Sequence, residues 1–128
     1  MSSRGSKIRN GHVTTSEFKT VKEIYDGKVL IGTGNNHGLP DYSHTPGSVY
    51  IKENPDGTFR ELRKYDEKGF PVIEIGYHPE PNLTGNRSEK VLHYHTFDKK
   101  LGRHLGGRVS KKSHIYQLFK KYLEAYNL

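Results

Sequence analysis

Apolar and polar positions alternate through the middle of this chain and give way to helical spacing at its C-terminal end. Residues 48–53, 58–65 and 70–77 each read as a strand. Asn54-Pro55-Asp56-Gly57 and Asp66-Glu67-Lys68-Gly69 separate them as turns, each closed by a glycine suited to a left-handed position. Two such steps in succession predict an antiparallel meander. Beyond a polar loop over 79–89, residues 90–97 (KVLHYHTF) alternate well enough for a fourth strand, and residues 28–33 read as another short one. From about Ser110 or Ser113 onward, Ile115, Leu118, Phe119, Tyr122, Leu123 and Tyr126 fall on one apolar stripe of a helix, which needs a sheet face to cover it.

The N-terminal half is less regular. Residues 1–12 have no apolar period and read as a flexible basic tail, leaving 13–128 as one domain. Thr14-Thr15-Ser16-Glu17 has the form of a capping box, with Phe18, Val21 and Ile24 or Tyr25 at helical spacing behind it and Asp26-Gly27 as a stop. That predicts a short helix, although Val21 and Ile24 also suit a strand. Residues 34–47 are turn-formers throughout and residues 98–108 are basic and glycine-rich, so both read as loops. The expected fold is α+β: a four- or five-stranded antiparallel sheet with a short N-terminal helix and an amphipathic C-terminal helix packed on one face.

Composition narrows the chemistry. Leu, Ile, Val and Phe make up 29 of the 128 residues, enough for a small core and just above the roughly 20% floor at which charged chains stay unfolded. With no cysteine, disulfides, thiolate catalysis and Cys-based zinc sites are excluded. No apolar run is long enough for a bilayer span, and no secretory signal follows the N-terminal charges, so a soluble protein with no membrane partner is expected. The net charge of +7 is segregated. Residues 1–12 carry three bases and no acid, residues 98–128 carry eight bases against Asp98 and Glu124, and the middle is slightly acidic. Such clustering attracts polyanions, which makes RNA or another phosphate-bearing ligand the expected partner.

Eight histidines supply the candidate chemistry. On a strand, His93 and His95 point to the same face about 6.5–7 Å apart. If alternation holds in the preceding strand, Glu74 and His78 share one face, and the return through 79–89 sets His78 beside the pair. Such a cluster supports metal-independent acid–base cleavage of an RNA phosphodiester, with His93 and His95 as base and acid and His78 assisting. It equally suits a divalent metal such as zinc, held by His93 and His95 with His78, His44 or Glu74. In the first case no cofactor is needed. Phosphate-binding candidates are Lys100, Arg103 and Arg108 in the basic loop, Arg60 or Arg63 on the second central strand, and Tyr42 and His44 from the 34–47 loop.

The order of LPDYSHTPGSVY, the hairpin DGTFRELRKYDEKGFPVIEI and a strand containing LHYH resembles the small C-terminal effector domains of bacterial polymorphic and phage-borne toxins. The likeness spans about residues 38–97 and rests on Y-x-x-T-P, Y-D-E-K-G and H-x-H, with His93 and His95 at the matching histidines. It implies a small nuclease, a ribonuclease by first choice, acting in a bacterial cytoplasm and held in check by an acidic immunity protein. A non-enzymatic phage or mobile-element protein that binds a nucleotide or nucleic acid is the rival reading, and a metal-dependent nuclease the third.

Overall fold

Among the described residues, nine strands lie side by side in one sheet. The computed structural model describes the backbone of residues 3–9, 12–32 and 38–128, and the side chains of 5–6, 18–32 and 38–128. The strands are β1 (Ser3–Arg9), β2 (His12–Ile24), β3 (Gly27–Gly32), β4 (Tyr42–Ser43), β5 (Val49–Glu53), β6 (Phe59–Tyr65), β7 (Pro71–Pro79), β8 (Lys90–Phe97) and β9 (Arg103–Arg108). Their order is β4-β1-β2-β3-β5-β6-β7-β8-β9, with α1 (Pro81–Thr84) between β7 and β8 and α2 (His114–Glu124) at the end. The β5–β8 meander expected from the sequence forms, and the α+β class holds. The sheet is larger than expected and mixed, because β3 and β5 run parallel.

Four segments differ from their sequence reading. The stretch read as a short N-terminal helix is the long strand β2, paired with β1 on one side and β3 on the other. Its β-tolerant Thr and Val positions gain two ladders of hydrogen bonds there, which outweigh a local capping signal. Asp26-Gly27 does stop the run, but as part of a hairpin in which Ile24 pairs with Gly27. Within the stretch read as a tail, Ser3–Arg9 pairs with β2; residues 1, 2, 10 and 11 lie outside the described residues. The basic loop over 98–108 is a turn followed by β9, which extends the sheet past β8. Of the 34–47 loop, residues 34–37 fall outside the described residues, and Tyr42–Ser43 pairs with β1.

One face of the sheet is covered by α2. Ser113 caps the helix, its hydroxyl accepting from the Tyr116 amide at 3.2 Å. Tyr116, Phe119, Tyr122 and Leu123 pack on Val29, Val49, Ile51, Phe59, Leu62 and Ile75. Leu118, assigned to the same stripe, points outward and is 57% exposed. An irregularity between Lys52 and Glu53 pairs Lys52 with Glu61 but Glu53 with Phe59, so Arg60 has no partner of its own. Phe59 therefore joins Leu62 under the helix instead of sharing a face with Glu61, Arg63 and Tyr65. Among the described residues no helix is long and apolar enough to cross a membrane.

The opposite face is divided. Toward β2 and β3 it is apolar, with Phe18, Leu30, Tyr50 and Tyr65 packed under Leu39. Toward β7, β8 and β9 it is charged, and the candidate site lies there.

The helix contact is the main apolar core, which makes its cost measurable. Leu123→Ala, at a site with no exposure, is expected to lower stability by about 2–5 kcal/mol in urea unfolding, whereas Leu118→Ala changes it by less than about 0.5 kcal/mol.

Candidate metal centre

The register of four successive antiparallel strands, β6 to β9, assembles the site. Directly paired residues of antiparallel strands point to the same face. One row runs Glu61, Gly76, His93, Arg108, and the next runs Arg63, Glu74, His95, Leu105. His78, two residues beyond Gly76, lies on the same face and opposite Val91. The three imidazoles expected to meet therefore do: His78 and His93 stand edge to face with centroids 4.7 Å apart, and His93 and His95 at 5.2 Å. Gly76 allows the first contact. A Cβ there would lie 2.7 Å from His78 Nε2 and 3.3 Å from His93 Cε1.

A carboxylate closed off from solvent forms the floor. Glu74 has no exposure, and its Oε2 accepts from Arg63 Nε at 2.9 Å and also from Arg63 Nη2. Its Oε1 accepts from Arg103 Nη1 at 3.0 Å. Burial alone would push this carboxyl up, but the Arg63 and Arg103 guanidiniums together hold it below the ordinary carboxylate range. Arg63 also donates through Nη1 to the Pro40 carbonyl at 3.0 Å and lies 5.2 Å over the Phe97 ring. Glu61, buried beside this pair, behaves oppositely. Burial and the neighbouring Glu74 charge raise it to about 7, against the pull of Arg63 and Arg60.

The two buried histidines have free ring nitrogens. His93 is fully buried and its Nδ1 donates to the Val91 carbonyl at 2.8 Å, a bond that in the neutral ring puts the proton on Nδ1 and the lone pair on Nε2. That Nε2 has no hydrogen-bond partner, and neither has His95 Nδ1. His95 lies between two carboxylates, with Nδ1 4.0 Å from Glu74 Oε1 and Nε2 3.7 Å from Glu80 Oε1, both beyond hydrogen-bond length. Burial, then the Arg103 charge, lowers the His95 pKa against Glu74, so the ring is neutral near pH 7. His78 is lowered as well, chiefly by burial.

Glu80, His93 and His95 each offer a ligand atom, and the three atoms lie within 4.8 Å of one another. Zinc with bonds of about 2.0–2.2 Å sets tetrahedral donors about 3.3–3.6 Å apart, so the widest gap closes by roughly 1 Å on binding. A carbonyl behind one ligating imidazole and a carboxylate behind the other is the usual outer support of such a site. Comparison with family models, curated proteins and solved structures finds no match.

The remaining expected site residues divide. Arg103 joins the cluster through Glu74, and Arg108 donates to the Leu83 carbonyl at 3.0 Å, tying the 79–89 loop to β9. Arg60 is exposed and acts on the charges of both His78 and Glu61. Lys100 lies in the exposed turn after β8, its amide donating to Asp98 at 2.9 Å, and stands apart from the imidazoles. Tyr42 packs edge-on against Phe70, and His44 Nε2 meets Ser6 Oγ at 2.8 Å. In the expected three-histidine ligand set, Glu80 takes the place of His78. Sequence reasoning missed Glu80. Its one signal is Pro81 behind it at a helix start, since Glu80 caps α1.

Glu61 gives the site a measurable pH signature. An unfolded glutamate loses its proton near 4.5, whereas folded Glu61 holds it to about 7, so this residue withdraws stability as pH rises through that window. Glu61→Gln is expected to raise stability by roughly 1–3 kcal/mol at pH 8 and to change it little at pH 4.5, read as urea midpoints across the range.

Proposed function

We propose that the chain is a divalent-metal-dependent nuclease whose ion is held by Glu80, His93 and His95. The observation that carries this reading is the buried His93 Nε2 without a partner, in a group of three residues whose ligand atoms lie within 4.8 Å of one another and in which His95 Nε2 is 3.7 Å from Glu80 Oε1. Buried polar atoms are nearly always satisfied, and a bound ion is a standard reason for an exception. Three protein ligands leave a coordination position for water or substrate, the arrangement of catalytic rather than structural sites.

The cations around the centre favour a phosphodiester. Arg60 stands beside His78, and Arg103 and Arg108 flank the imidazoles from β9. A bound ion would polarise the phosphoryl oxygen and acidify a water. His78 is only half-buried, and its Nδ1 lies 3.1 Å from the Pro79 carbonyl, which leaves Nε2 to take the proton of that water. In such a cleavage a water oxygen would bond to phosphorus as the bond from phosphorus to the leaving oxygen breaks, the leaving oxygen would take a proton from solvent, and the arginines would balance the charge that builds on the phosphoryl oxygens. The toxin-domain resemblance and the segregated positive charge fit a nucleic-acid substrate, and an acidic protein inhibitor would suit the same surface.

Metal-free acid–base cleavage is the second reading. The close His78–His93 pair favours it, but the burial of His93 and His95 keeps a phosphate at a distance that a small ion would not face.

Stripped protein titrated with zinc or manganese decides between them. One equivalent is expected to bind, with His95→Ala weakening uptake by about a hundredfold or more. Labelled RNA or DNA should be cut only with metal present. Cleavage undiminished in EDTA by protein that takes up no metal would remove the metal reading.

His78 and Gly76 test the proton acceptor separately. His78→Ala is expected to lower cleavage by about 10²–10⁴ while metal uptake persists, and Gly76→Ala, which displaces the His78 ring, should lower cleavage in the same direction. Equal rates for wild type and both variants, measured at saturating metal, would take His78 out of the reaction.

A further inference from the structure

Three hairpin turns in this sheet share one hydrogen-bond pattern. Asn54, Asp66 and Asp98 each open a turn by donating an amide to the carbonyl four residues on, at 2.8, 2.8 and 3.0 Å. The carbonyls of the same three residues accept from the amides of Gly57, Gly69 and Leu101. That position needs a left-handed backbone, with φ of +85° at Gly57, +86° at Gly69 and +63° at Leu101. Glycine fits it freely and leucine does not. Only the third turn carries a side chain there, although Gly102 stands one residue away.

The Leu101 side chain lines a groove of roughly 570 Å³ between the second and third of these turns. Phe70, Val72 and Phe97 line it too, with Lys68 and Lys99 among its residues. Phe70 and Val72 are 41% and 46% exposed. The acids in the groove are occupied by their own turns. Asp66 Oδ1 accepts from the Lys68 and Phe70 amides, and Asp98 Oδ1 from those of Lys100 and Gly102, while Asp98 Oδ2 meets His104. Among the described residues neither Lys68 nor Lys99 has an ion pair. Phe97 connects the groove to the candidate metal centre: it follows His95 by two residues on β8, pairs with Arg103, and has the Arg63 guanidinium over its ring.

We infer that this groove is a base-binding subsite for single-stranded nucleic acid, with a nucleobase set against Phe70, Phe97 and Leu101 and the adjoining phosphates near Lys68 and Lys99. Aromatic faces flanked by mobile cations are the usual means of holding unpaired bases, and a buried duplex edge offers no such face. The inference rests on the nuclease reading for the choice of ligand and adds where the strand lies relative to the centre.

The test uses the whole chain in EDTA, so that metal is absent from the readout. Binding of fluorescent six-nucleotide RNA and DNA strands is compared with that of an abasic strand of equal length at one salt concentration. Base-bearing strands are expected to bind about tenfold more tightly than the abasic one, and Leu101→Gly and Phe70→Ala should each abolish most of that difference. The stronger of the RNA and DNA arms identifies the substrate. Leu101→Gly places glycine where the other turns already have it, so its urea midpoint should be unchanged or higher, which separates lost binding from lost folding. Equal affinity for base-bearing and abasic strands, or a preference that survives both substitutions, overturns the subsite. Zinc uptake by Leu101→Gly is measured alongside and should equal that of wild type, so failure of the groove and failure of the centre are distinguishable.

Discussion

The charged face of this sheet depends on the pairing of Glu74 with two arginines. A carboxylate without solvent access is costly unless compensated, and here Arg63 grips one oxygen with two N–H groups while Arg103 holds the other. Those bonds fix the Glu74 side chain beside His95 and fix Arg63 against both Phe97 and the Pro40 carbonyl. A single ion cluster thus connects the imidazoles, the groove and the loop over the apolar half of the same face. Removing either arginine would leave one buried Glu74 oxygen without its partner, so the three residues act as a unit rather than as separable pairs.

The two carboxyls of the cluster take opposite states for one reason. Glu74 has both guanidiniums and remains ionised, and its charge then helps to keep nearby Glu61 protonated. The electrostatics of the floor are set by which carboxyl the arginines reach, and the strand register sets that. Gly76 contributes from the same row, since its missing side chain is the space in which His78 and His93 meet.

Much of this was legible in the sequence wherever the signal was local and periodic. Alternation put Glu74 with His78 on one face of the third expected strand and His93 with His95 on one face of the fourth, and the polar return between the strands set His78 beside that pair. The C-terminal stripe was readable except for Leu118, with the helix start left between Ser110 and Ser113. Pairing partners were not. Residues 12–24 carry a capping box and helical spacing, yet they have β1 and β3 beside them, and no local pattern reports a neighbour that distant in the chain. The irregularity at Arg60 moved Phe59 to the other face because one unpaired residue reverses everything before it. Glu80 was hidden for a third reason, since it reaches His95 from a loop whose path follows from tertiary contacts such as the one between Arg108 and the Leu83 carbonyl.

The central claim is that His93 presents an unprotonated Nε2, with the ring oriented by the Val91 carbonyl, into a site shaped for a metal ion. Nitrogen-15 NMR of the imidazole rings, recorded on stripped protein and again with one equivalent of zinc, addresses it directly. The account predicts the Nδ1–H form of His93 before zinc, and large, saturable shifts confined to the His93 and His95 ligating nitrogens after it. A proton on His93 Nε2 in the stripped protein, or ring signals that do not respond to zinc, would contradict it.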